Sequence, residues 1–150
     1  NGYMIQLVRY KPSGDETLVE VSSKHLRKYG WKGNLGNTPA AYLTGYLFGK
    51  MSAKKGFEEG IIDIGMQSKN SQVLMAAALG IKDAKFGVPV NAEVKEQRIK
   101  GEHIVKYAQH LKKENPDAYK RQFSSYIKAG IVPEVLPQHF EEVKKQIEDA

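Results

Sequence analysis

Residues 3–11 form an apolar run rich in β-branched and aromatic types. Tyr3, Ile5 and Leu7 fall on one face and Met4, Gln6, Val8 and Tyr10 on the other, the period-two pattern of a strand. Residues 12–16 have turn composition and residues 17–22 read as a second strand, so the two predict a hairpin. The period then changes. Ala40, Leu43, Leu47 and Met51 recur at helical spacing behind Thr38-Pro39, which reads as a helix start with Thr38 as N-cap and Pro39 at the first helical position. That helix is expected to end near Gly56, with Lys54 and Lys55 in its last turn. Gly45 and Gly49 lie four apart inside it and leave a smooth face for close packing. Residues 60–65 are short, apolar and β-branched and predict a buried strand. Residues 67–71 predict a polar loop, and residues 71–84 a second helix with Val73, Leu74, Ala77, Ala78 and Ile81 inward. Residues 88–90 read as a brief extended piece.

From Val94 the pattern becomes helical with polar faces, over about 94–113, 115–128 and 137–149, punctuated by Asn115-Pro116, Pro133 and Pro137. Phe140, Val143 and Ile147 share one face of the last helix, which reads as a surface docking helix. The whole predicts an α/β fold: a mixed β-sheet with an N-terminal hairpin and flanking helices, then a helical C-terminal extension. The expected division is a core of residues 1–92 and an extension of residues 93–150. There is no internal repeat and no low-complexity tract.

Composition narrows the class. A chain of 150 residues, 41% hydrophobic and 27% charged, is about one globular domain. The net charge of +6 is uneven. Residues 1–60 carry nine Lys/Arg against five Asp/Glu, residues 61–113 again nine against five, and residues 114–150 five against seven. A polyanionic partner suits the basic three-quarters. The absence of cysteine excludes disulfides and thiolate metal sites and suits a reducing cytoplasm. No apolar run approaches the ~20 residues needed to span a bilayer, and residues 1–10 lack the charged and apolar regions of a signal peptide. The chain opens on Asn1 in a strand pattern, so a segment upstream of it is expected.

Candidate chemistry follows from what the motifs allow. Gly45-Tyr-Leu-Phe-Gly49-Lys50-Met51 is not a P-loop: it has three residues between its glycines, a methionine where magnesium needs a hydroxyl, and a mid-helix position. Asp63, with Glu58, Glu59 and Asp83, is the one candidate for a metal-dependent nuclease, though no spacing converges these carboxylates. An Asp63 bonded to backbone amides is the structural alternative. His103 and His110, seven apart on one helix, lie too far from each other for one metal without further ligands; His25 and His139 stand alone. No catalytic residue, metal or cofactor is assigned.

Residues 28–45 carry the clearest signal. Gly30, Gly33 and Gly36 punctuate a loop holding Lys28, Tyr29, Trp31, Lys32, Asn34 and Asn37, which runs into the Thr38-Pro39 helix start. Lysines offer charge to phosphates, aromatic rings offer faces to bases, and a helix N-terminus offers free amides. Trp31 as a packing residue that pins its loop to the sheet is the alternative. Residues 67–71, with Lys69, Asn70 and Ser71, form a second polar cluster; residues 98–103, with Arg98, Lys100 and His103, form a third.

These residues also carry a resemblance. Residues 14–19 (Gly-Asp-Glu-Thr-Leu-Val), 29–34 (Tyr-Gly-Trp-Lys-Gly-Asn), 36–45 (Gly-Asn-Thr-Pro-Ala-Ala-Tyr-Leu-Thr-Gly), 63–65 (Asp-Ile-Gly) and 98–104 (Arg-Ile-Lys-Gly-Glu-His-Ile) resemble, in order, the archaeal and eukaryotic branch of large-subunit ribosomal protein eighteen. Residues 137–142 look like that branch's C-terminal helix start. The resemblance implies a ribosomal structural protein of the cytoplasm, not an enzyme. It would bind 5S rRNA and tether it to the large-subunit rRNA in the central protuberance, near large-subunit protein five. It implies a ribonuclease-H-like sheet without that fold's active site. By match, Tyr29, Trp31, Lys32, Asn34, Gly36, Asn37 and Thr38 would form one rRNA contact and Arg98, Lys100 and His103 another; Arg9 and Lys11 would face the 5S rRNA. Two departures stand out. The long basic arm usual ahead of the first strand is not in this sequence, and Gln72 stands where members carry Lys or Arg, which leaves Lys69 as the loop's cation. The alternatives are the nuclease on Asp63 and a non-ribosomal adaptor whose acidic last helix docks a protein.

Overall fold

The computed structural model describes residues 2–91 and 93–150; residue 92, where the expected core would end, lies outside them. Strands β1 (Met4–Arg9) and β2 (Glu16–Ser22) pair antiparallel, with a bulge where Leu7 meets Val19 and Val8 meets Thr17. Ile5 and Leu7 point inward, as the alternation requires. A 3-10 turn (Ser23–Tyr29) follows directly. Ser22 Oγ accepts from the Lys24 amide and His25 Nδ1 from the Ser22 amide, so histidine fills the capping-box place usually held by Glu or Gln.

Helix α1 (Thr38–Lys54) is the hub of the molecule, buried on every side from Thr38 to Gly49. Its N-cap is Asn37 rather than Thr38: Asn37 Oδ1 accepts from the Ala40 amide at 3.0 Å, and Thr38 is buried as the first helical residue. Helix α2 (Gln72–Asp83) packs on it more tightly than any other pair of elements. A Cβ on Gly45 would fall inside the Ala77 carbonyl, one on Gly80 inside the Tyr42 carbonyl, and one on Gly49 within 2.6 Å of Ala84 Cβ. The smooth face expected of Gly45 and Gly49 is therefore this seam.

The expected strand over residues 60–65 is not formed, and the sheet of the described residues has two strands rather than the wider mixed sheet. A single parallel bridge joins Glu59 to Gly87. Asp63 Oδ1 accepts from the Gly65 amide at 2.7 Å, a side-chain turn that competes with ladder pairing, and Ile61 is 91% exposed.

The first two helical stretches expected after residue 94 are each divided, into α3 (Glu96–Ile99) and α4 (Glu102–Glu114) and into α5 (Pro116–Gln122) and α6 (Ser124–Lys128), whereas α7 (Leu136–Asp149) spans its expected range. The break between α3 and α4 is Gly101, at φ 82°, where a Cβ would meet Leu136 Cδ2 at 2.9 Å and Pro39 Cγ at 3.1 Å. Phe123 splits α5 from α6 and is buried among Tyr107, Tyr119 and Tyr126. On α7, Phe140, Val143 and Ile147 join the same buried cluster as α1 and β2, so its apolar face is spent within the chain.

Gly45→Ala should destabilise the protein by about 1–3 kcal/mol or more through overpacking, whereas exposed Ala53→Ser on the same helix should stay within about 0.5 kcal/mol. Urea unfolding midpoints of the two variants against the parent check this.

Candidate nucleic-acid interface

The glycine loop is built around its tryptophan. Trp31 is 1% exposed, its ring stacks on His139 of α7 (centroids 5.2 Å apart, planes 16°), and its Nε1 donates to the Asn34 carbonyl at 3.1 Å. A Cβ on Gly33 would lie 2.5 Å from the indole, so glycine is what lets the chain double back across the ring. Both faces of the ring belong to the protein interior. Trp31 is therefore not a stacking platform for a base; it pins its loop, against α7 rather than the sheet.

Two distant side chains complete the loop. His139 Nε2 accepts from the Lys32 amide at 3.0 Å. The Tyr126 hydroxyl accepts from the Asn34 amide and from Asn37 Nδ2, each at 3.3 Å. Burial is the largest influence on His139 and holds its pKa below the ordinary histidine value, with Lys32 acting in the same direction and Glu142 opposing. Burial likewise raises the Tyr126 phenol, with its hydrogen bonds to Asn34 and Asn37 opposing. Sequence reasoning gave neither residue this role, because 107 and 92 positions separate them from their partners and no local pattern marks them.

The cations sort by what they already hold. Lys24, Arg27, Lys28 and Lys32 are exposed, and none takes part in an ion pair among the described residues. Arg9 and Lys11 both reach Glu16, at 4.0 and 2.6 Å. Lys100 is held by Glu96 at 2.8 Å and Glu141 at 3.2 Å, and those hydrogen bonds raise its pKa; it is not the free phosphate ligand its sequence context suggests. Arg98 is exposed. His103 is half-buried with Nδ1 unpartnered, and burial, with Arg98 nearby, lowers its pKa.

The remaining candidates divide in the same way. Tyr29 is half-buried and packs on the core. Asn34 is exposed, with Oδ1 accepting from the Gly36 amide at 2.6 Å, and the Gly36 carbonyl accepts from the Tyr3 hydroxyl. Asn37 and Ser71 cap α1 and α2, while Thr38 is buried. Lys69 and Asn70 are exposed on their loop. Asp63 sits on an exposed turn, bonded to a backbone amide as the structural alternative has it. No group of three or more His, Asp or Glu among the described residues is placed to hold a metal ion. No helix of the described residues is long and apolar enough to cross a membrane.

Fold and surface define a small basic α/β protein with a run of four cations, unpaired among the described residues, along the 3-10 turn and the glycine loop that follows it. Residues 1–76 match the family described as ribosomal large subunit proteins 60S L5 and 50S L18. The large ribosomal subunit protein uL18 of Thermofilum pendens is 44% identical over 151 residues, covering 98% of this chain and 76% of the relative. That of Sulfurisphaera tokodaii is 47% identical over 152 residues, covering 98% and 77%. The chain belongs to this uL18 family and is a structural constituent of the large ribosomal subunit.

Two outcomes test the loop's construction. Trp31→Ala should cost about 3–5 kcal/mol of stability as a buried large-to-small truncation, read by chemical denaturation. His139 has a depressed folded pKa, so its stabilising contribution is complete above the ordinary value of 6.5 and is lost as pH falls through the folded value. Unfolding midpoints at pH 7.5 and 5.5 should fall toward acid in the parent, and fall less in His139→Gln, which keeps an acceptor for the Lys32 amide but does not titrate. An equal fall in both would assign the loss elsewhere.

Proposed function

We propose that this chain binds 5S rRNA and attaches it to the large-subunit rRNA in the central protuberance, beside large-subunit protein five, on cytoplasmic ribosomes. The role is structural rather than enzymatic. Supporting it is one observation above the rest: Lys24, Arg27 and Lys28 of the 3-10 turn and Lys32 of the adjoining loop, four cations within nine residues, make no ion pair among the described residues, and the loop is fixed from beneath by Trp31, His139 and Tyr126. Unpaired cations on a rigid loop meet phosphates without first breaking an ion pair or ordering a flexible segment. Residues 1–92 would carry this contact, with Lys69, Asn70 and Arg98 as further rRNA contacts and the 93–150 extension packed behind. The ribonuclease-H-like sheet remains part of the reading. Its support is the parallel Glu59–Gly87 bridge and the position of residues 61–64 across a cavity from β1.

Lys28→Gln and Lys32→Gln should each weaken 5S rRNA binding and reduce the slope of log affinity against log salt by about one. Electrophoretic shifts with transfer RNA as competitor, over a range of potassium chloride concentrations, measure both. Binding insensitive to salt and to both substitutions would remove the loop as the RNA contact.

A further inference from the structure

Beside the loop lies a cleft of about 270 Å³, walled on one side by Arg27, Lys32, Asn34 and Leu35 and on the other by Ser125 and Tyr126 of α6. The hydrogen-bonding inventory of its side chains is one-sided. Asn34 Oδ1 is occupied by the Gly36 amide, the Asn34 carbonyl accepts from the indole of Trp31, and the Tyr126 oxygen accepts two hydrogen bonds. The side-chain groups that remain can all donate: the Tyr126 O–H, the Asn34 side-chain N–H groups, the Ser125 hydroxyl, the Lys32 ammonium and the guanidinium of Arg27. Arg27 is aimed by its own bond, Nη1 donating to the Trp31 carbonyl at 2.7 Å, which leaves the rest of its fork free. No carboxylate lines the cleft. Five donors and no acid specify an anion with several acceptor oxygens.

We propose that this cleft is a phosphodiester subsite for RNA, formed jointly by the glycine loop and α6. The extension then contributes directly to binding through Ser125 and Tyr126. The proposal rests on the RNA-binding reading above and goes beyond it, since none of Arg27, Ser125 and Tyr126 belongs to the motif that suggested that reading. Tyr126 has two tasks in the cleft. Its oxygen holds the loop amides in place and its proton meets the phosphate, so loop geometry and ligand are read by one hydroxyl.

The experiment uses the full chain and 5S rRNA, with Lys28→Gln as a reference outside the cleft. Arg27→Gln should lower the salt slope by about one. Ser125→Glu, at an exposed residue whose hydroxyl makes no hydrogen bond among the described residues, should weaken binding at least tenfold with an unchanged melting curve. Tyr126→Phe should weaken it severalfold. Wild-type affinity and slope in Arg27→Gln and Ser125→Glu, with Lys28→Gln still impaired, would overturn the subsite and leave the RNA reading standing. A parent chain that does not bind the RNA overturns both. Amide resonances of Ser125 and Tyr126 should shift with a short single-stranded RNA; a shift with inorganic phosphate and none with the RNA makes the cleft a free-anion site and overturns the proposal.

Discussion

Everything else in the molecule hangs on the contact between α1 and α2. Gly45, Gly49 and Gly80 remove the side chains that would hold the two helices apart, and backbone meets backbone. The consequence reaches past the pair. An ordinary surface helix buries one stripe, whereas α1 is buried all round over its first three turns, with α2, the hairpin, the 3-10 turn and α7 arrayed about it. Its N-terminus is where the glycine loop ends, so the loop's exit is fixed by the best-packed element of the fold.

The loop's entry is fixed differently, by polar ties to the far end of the chain. Trp31 faces inward onto His139, and Lys32, its neighbour, uses its amide on that same histidine while its ammonium faces water. The division follows the chain residue by residue: aromatic in, charge out. A second tie links the extension to the hub, where Tyr42 donates to Asp83 at 2.5 Å, Lys144 donates to Tyr42 at 3.0 Å, and the same ammonium lies over the Tyr42 and Tyr46 rings. Burial first, then the Asp83 bond, pushes the Tyr42 phenol far above its ordinary value, so it remains a donor at any physiological pH.

The sequence made legible whatever one segment decides for itself. The hairpin alternation, the helix from Thr38, the close-packing glycines and the apolar face of α7 are local patterns, and each is in place. What was misread depended on a partner elsewhere. A strand over residues 60–65 needs a ladder, and its neighbours supply one bridge. The helix over 94–113 breaks because Pro39 and Leu136 leave room only for a glycine. Trp31 in a basic, glycine-rich loop looks the same from sequence whether its ring faces RNA or His139; only the fold distinguishes them. Lys100 has two cations' worth of basic context and two carboxylates in contact, one four residues away and one on another helix.

The charge asymmetry of the chain acquires a meaning here that its net value lacks. The acidic last quarter does not repel a polyanion from the whole surface. Glu134, Glu141 and Glu148 reach Lys112, Lys100 and Lys50, cations that lie away from the glycine loop in sequence. Each exposed pair contributes little to stability. The tail holds three lysines elsewhere, and none of its carboxylates pairs with Lys24, Arg27, Lys28 or Lys32 among the described residues. The helix that supplies most of those carboxylates, α7, also holds the glycine loop in place through His139, so the acidic tail supports the basic loop without pairing with its cations.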